Sequence, residues 1–208
     1  MCRFLKPVPW ARLLPLLTRK GDGNGILHIH DVDLQGACGP GRNRLAIWRK
    51  IKGLGAVYLQ NGVCVLPRTD EHLRRLKMLQ NEILEMGGEA VLMNSAGLDA
   101  VQQNQVVARF TRDRNEAYAE FLERCEGFGQ EITRESAAGK FTYAELEEND
   151  LDLKKLKKWL AKIRNLDFFQ ASLGPDAETA LSRCTKILDD FAEKVFLAAD
   201  ESRAIEDD

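Results

Sequence analysis

Apolar and polar residues alternate with period two over ILHIHDVDL (26–34), as a half-buried strand requires, directly after the breaker cluster GDGNG at 21–25. Beyond the loop GACGPGR (36–42), the stretch RLAIWRKIKGLG (44–55) changes to helical spacing. It sets Ile47, Trp48, Ile51 and Leu54 on the apolar side, with Gly55 as a stop. Two β-rich runs, AVYLQ and VCVLP, flank Asn61-Gly62, a pair suited to the positive φ angles of a type I′ hairpin turn. Thr69 then N-caps a helix that opens on Asp70 and Glu71. Its inner face carries Leu73, Leu76, Leu79, Ile83 and Met86, and Gly87-Gly88 ends it. EAVLMNS (89–95) reads as a further strand.

Strand, helix, two-strand hairpin, helix and strand in that order predict an α+β fold. The expected form is a ferredoxin-like βαββαβ domain over 26–96, a four-stranded antiparallel sheet with two helices on one face. From Gly97 onward only helical patterns occur. A helix over roughly 103–136 carries Val106, Val107, Phe110, Tyr118, Phe121 and Leu122, and Ala137–Gly139 breaks it. Thr142 and Glu145 then form a capping box before a helix reaching towards Phe169. SLGPD (172–176) is a turn, and Pro175 and Asp176 open a last helix with Leu181, Ile187, Leu188, Phe191 and Val195 inward. The expected organisation is a loose basic arm at 1–25, the ferredoxin-like domain at 26–96, an all-helical extension at 97–200 and a frayed acidic tail at 201–208.

Charge sharpens this division. The whole chain has 30 Lys and Arg against 32 Asp and Glu, which excludes a strongly basic coat protein and an acidic tail protein alike. Residues 1–96, however, hold 14 cations against 8 acids, and residues 97–208 hold 16 against 24. Five cysteines (Cys2, Cys38, Cys64, Cys125 and Cys184) are odd in number and contain no CxxC pair, so neither a disulfide framework nor a zinc cluster is expected, and a reducing cytoplasm fits. No run is long and apolar enough for a membrane span. Pro7, Pro9 and Pro15 interrupt the basic first twenty residues, which read as an arm rather than a leader.

The densest cationic feature lies in the window 37–77, where Arg42, Arg44, Arg49, Lys50, Lys52, Arg68, Arg74, Arg75 and Lys77 face only Asp70 and Glu71. With both helices on one sheet face, Arg42, Arg44, Arg49, Lys50, Lys52, Arg74 and Arg75 form a candidate surface for phosphates or another oxyanion. A Lys/Arg-rich solubility face is the competing reading. KKLKKWLAKIR (154–164) reads as a solvated helix face with Leu153, Leu156, Trp159, Leu160 and Ile163 inward, and Asp150 is spaced to pair with Lys154. His28 and His30 project from one face of the first strand without an evident third ligand, so no metal site and no cofactor are assigned. Cys64 reads as a small buried hydrophobe. No phosphate-cradling glycine loop, GxSxG or HExxH occurs, and no catalytic residue is expected.

RNRLAIWRKIKGLGAVYLQNGVCVLP (42–67), GGEAVLM (87–93), FTYAELEENDLDLKKLKKWLAKIRNLDFF (141–169) and ALSRCTKILDDFAEKVF (180–196) carry a more specific signal. Together they resemble the N-terminal domain of the ChrB family of chromate-resistance regulators, over roughly residues 26 to 197. A similar string occurs in the PaaX family of phenylacetate-pathway repressors, whose corresponding domain is ferredoxin-like. The resemblance falls on Arg44, Trp48, Arg49, Lys52, Gly55, Gly62, Pro67, Gly88, Tyr143, Glu145, Glu148, Asp167 and Phe168.

Core packing accounts for Trp48 and backbone freedom for the glycines, while Arg44, Arg49 and Lys52 are the expected anion or nucleic-acid contacts. The resemblance implies a cytoplasmic bacterial protein in the control of a chromate efflux operon. Its expected partners are operator DNA, chromate or sulfate, and a second copy docked through the sheet or the helical extension. A separate partner is also expected to carry the C-terminal domain for which Asp208 leaves no room. Two alternatives accompany this reading: a Mg-dependent nuclease using Asp31 or Asp33, by analogy with a ferredoxin-like CRISPR-associated protein, and an oxyanion sensor or interaction subunit that does not bind DNA.

Overall fold

The computed structural model describes residues 26–30, 42–60 and 63–206. The elements run β1 (Ile26–His30), α1 (Arg42–Gly53), β2 (Val57–Gln60), β3 (Val63–Pro67), α2 (Asp70–Glu85), β4 (Val91–Ser95), α3 (Ala100–Ala137), α4 (Tyr143–Asn165) and α5 (Gly174–Glu206). Helix predominates, with a small antiparallel sheet in the first part of the chain. The chain divides into two units between Arg109 and Phe110, inside α3.

In the first unit the sheet order is β2-β3-β1-β4. β1 pairs antiparallel on both sides, His28 opposite Val65 and Met93, and His30 opposite Val63 and Val91. β2 and β3 pair as the Asn61-Gly62 signal requires, although those two turn residues lie outside the described ones. So do Asp31 and Asp33, and the arm at 1–25. The α2 cap forms as expected: Thr69 Oγ1 accepts the His72 N–H at 3.0 Å, and His72 Nδ1 lies 2.7 Å from the Pro67 carbonyl. Gly55 and Gly87, at φ 82° and 77°, end α1 and α2 in the left-handed region that a Cβ disfavours. Ile47 and Ile51 of α1, Leu76, Leu79 and Ile83 of α2, and Val57, Cys64, Val65 and Leu66 of the hairpin are the buried positions.

β2 is an edge strand, and its register shifts between Tyr58 and Gln60. Regular pleating sends successive carbonyls to opposite sides. Here the carbonyls of Tyr58 and Leu59 both accept from the Arg109 guanidinium, at 3.2 and 2.7 Å. The first turns of α3 thus close one edge of the sheet. β4, the other edge, carries no charged residue and exposes Val91 (52 %) and Met93 (40 %).

The second unit is built on alternating three- and four-residue spacing, the pattern of packed helices in a bundle. Its inner positions are Phe110, Tyr118, Phe121, Cys125, Phe128 and Ile132 on α3, Leu153, Leu156, Leu160 and Ile163 on α4, and Ala177, Cys184, Leu188, Phe191 and Val195 on α5. Asn149 is the buried polar member of the α4 row, and its amide donates to Glu135 Oε2 at 2.7 Å. The basic face of α4 is solvated as expected, with Lys154 paired to Asp150 and the apolar residues inward. Thr142 Oγ1 accepts the Glu145 N–H at 3.3 Å, and the Glu145 carboxylate lies 3.2 Å from the Lys140 ammonium.

Asp167 fastens the turn between α4 and α5. It accepts the Ala171 N–H at 3.0 Å and the Tyr118 hydroxyl at 3.1 Å, while Asn115 accepts the Leu173 N–H at 3.1 Å. Phe168 and Phe169 pack on Phe110 with centroids 6.2 and 5.2 Å away. α5 continues to Glu206, into the segment the sequence marks as a frayed tail.

Candidate nucleic-acid interface

α1 contains five cations and no acid in twelve residues. Its buried side is set by Ile47 and Ile51. At 100° per residue, Arg44, Trp48 and Lys52 form a row along the flank of α1, about 20°, 60° and 100° round from Ile51, with Leu45 and Arg49 further round on the outer side; Arg44 lies one turn before Trp48 and Lys52 one turn after. Arg44 and Arg49 are exposed and Lys52 is half-buried. The Lys52 ammonium stands 5.6 Å from the centroid of the Tyr58 ring, a cation–π contact that leans the side chain along the helix towards β2.

Trp48 is not a core residue: it is 46 % exposed, and its neighbour Leu45 is 44 % exposed. The expectation of core packing therefore fails, for a geometric reason. Trp48 lies about 60° around the helix from Ile51, at the margin of the apolar arc, and the positions directly under the helix are filled by Ile47 and Ile51. Arg42 begins α1, and its side chain lies outside the described ones.

The other predicted cations divide differently. Lys50 lies at the flank of α1 and forms an ion pair with Glu82 of α2. Arg75 pairs with Glu71 one turn away on α2, at 2.7 Å. Arg74 is exposed on the same helix. Glu82 and Glu85 join Asp70 and Glu71 on α2, so its outward surface is of mixed sign. The window 37–77 stops short of both later acids, which is why the sequence suggests one basic surface across two helices. The structure places Arg44, Arg49 and Lys52 along one side of α1, pairs Lys50 and Arg75 with carboxylates, and leaves Arg74 exposed on a helix of mixed sign.

Arg44 sits in the first turn of α1, beside the positive end of the helix dipole. A cation there is disfavoured by about 0.3–1 kcal/mol, and α1 has no first-turn acid to offset it. Among the described residues there is no group of three or more His, Cys, Asp or Glu side chains disposed to hold a metal ion. No helix of the described residues is long and apolar enough to cross a membrane.

The family model described as "Protein ChrB, N-terminal" matches residues 44–202, from the first turn of α1 to the last turns of α5. No curated protein matches the sequence.

Proposed function

The chain belongs to the ChrB N-terminal family, a family of chromate-resistance regulation, and from that premise we propose that it acts in transcriptional control of a chromate efflux operon by holding DNA phosphates on α1. The observation that carries this reading is the acid-free surface of α1, with Arg44, Arg49 and Lys52 along one side. Phosphate contacts of this kind position a protein on DNA and supply salt-dependent affinity.

The same reading takes the first unit as a ferredoxin-like βαββαβ domain. The strand order β2-β3-β1-β4 and the antiparallel pairing of every neighbour support it. It assigns the protein a binding role without catalysis, in the cytoplasm, with chromate or sulfate as the signal. A homodimer formed by two β4 edges completes it, supported by the uncharged, apolar edge that β4 offers while Arg109 closes β2.

Fluorescence anisotropy with labelled DNA from upstream of the protein's own operon, read across a salt series, tests the α1 assignment. Arg49→Ala with Lys52→Ala should weaken binding at every salt concentration and flatten the log–log salt slope by about 0.9 per lost phosphate contact on duplex DNA. Affinity equal to that for random DNA would exclude operator recognition. Affinity unchanged in the double variant would exclude α1.

A further inference from the structure

Trp48 gives the α1 face a feature that phosphate binding does not use. A large aromatic ring 46 % open to solvent, with Leu45 beside it, forfeits burial that the core of the same unit gives to Ile47 and Ile51. Its neighbours one turn away in each direction are cations, Arg44 and Lys52, and the next residue is Arg49. Arg44 and Lys52 are about 12 Å apart along the helix axis, with the indole midway. α1 contributes no carboxylate to this surface. A planar π surface between positive charges matches a ligand with a planar ring between negative charges.

We propose that α1 binds single-stranded or locally unpaired nucleic acid, with one base stacked on the Trp48 indole and the phosphates on either side held by Arg44, Arg49 and Lys52. The proposal rests on the α1 reading above and goes beyond it by naming the form of nucleic acid. A base paired inside a duplex offers its faces only to its stacked neighbours, whereas an unpaired base has a face free for an aromatic side chain. Stacking tolerates any base, so Trp48 would add affinity without dictating sequence.

The test uses the full chain and three labelled probes of equal length: single-stranded oligothymidylate, a duplex, and a duplex with a central unpaired bubble. Binding is read by anisotropy for the unaltered protein and for Trp48→Ala, Trp48→Leu, Trp48→Phe and Arg49→Ala, with circular dichroism and urea unfolding confirming that each variant is folded. The expected result is preference for the single-stranded and bubble probes. Affinity should fall about tenfold or more in Trp48→Ala and Trp48→Leu, with the salt slope unchanged, and be largely kept in Trp48→Phe. Arg49→Ala should instead lower the salt slope, by about 0.7 on a single strand.

Binding that responds to Arg49→Ala but ignores every Trp48 variant, or that favours the duplex whatever stands at 48, would overturn the stacking inference and leave the α1 reading intact. Equal losses in Trp48→Leu and Trp48→Phe would likewise overturn stacking. No binding to any of these probes or to the operon's own DNA would overturn both. A Trp48-dependent complex with an acidic protein in place of nucleic acid would reassign the face to protein contact.

Discussion

Tyr118 and Cys125 keep protons in the folded chain that the unfolded chain would release. Burial, reinforced by the charge of Asp167 and the hydrogen bond to it, pushes the Tyr118 hydroxyl up to about 12 from an ordinary 10.0. Burial and the adjoining Cys184 push the Cys125 thiol up to about 12 from 9.0. Between those ordinary values and 12 the unfolded chain binds fewer protons than the native one, so alkali favours unfolding there. Their contribution is complete below about pH 9 and is lost as pH rises towards 12. Urea unfolding at pH values from 8 to 11 should therefore show stability falling, and falling less steeply in Tyr118→Phe and in Cys125→Ala. An equal slope in the variants would count against this origin. Tyr118 also marks the reach of residue-level reading: its spacing makes it an inner helix residue and the family resemblance falls on Asp167, but nothing local joins the two across 49 positions. Trp48 fails in the other direction, since residue type argues for burial and angular position on α1 decides against it.

Among the elements, those with both a periodic pattern and local capping chemistry are legible in the sequence. α2 has Thr69 before it, acids in its first turn and Gly87 after it, and every one of these acts within a turn of the chain. The β2–β3 hairpin and the inward row of α4 are legible for the same reason. The sign of the α2 surface is not, because Glu82 meets Lys50 across 32 residues. The closure of the β2 edge is likewise invisible, since it needs the bulge near Leu59 and a side chain fifty residues later. Removing that side chain has a calculable cost. Arg109→Ala leaves two strand carbonyls without their charged donor and should destabilise the sheet unit by about 1.5–3 kcal/mol. Hydrogen exchange at the amides of β2 and β3 should report the loss, and Arg109→Lys, with a single ammonium in place of the planar fork, should recover only part of it. Unaltered exchange in Arg109→Ala would mean that the edge is held by other contacts.

Over the whole molecule, the sequence marks Gly97 as the place where strand signals end, whereas the compact units part between Arg109 and Phe110. The discrepancy follows from α3 itself: it is one uninterrupted helix whose opening turns serve the sheet through Arg109 and whose later residues, from Phe110, supply a helical core. Periodicity finds such a helix but contains no information about which neighbour each turn serves. Among the described residues of the first unit, α1 is the helix that carries cations without acids.

The homodimer proposed above, built on the contrast between the sheet's two edges, carries its own ceiling on self-assembly. Two chains that join their β4 strands about a two-fold axis consume both receptive edges, and the outward β2 strands, already occupied by Arg109, accept no third chain. Growth is then self-terminating: with rising concentration the mass in solution should level off near about twice the 23.4 kDa of the chain. In Arg109→Ala, chains become bifunctional, the condition for polymerisation, and light scattering should climb without a plateau. One arginine on a helix would in that case separate a finite complex from an open-ended filament.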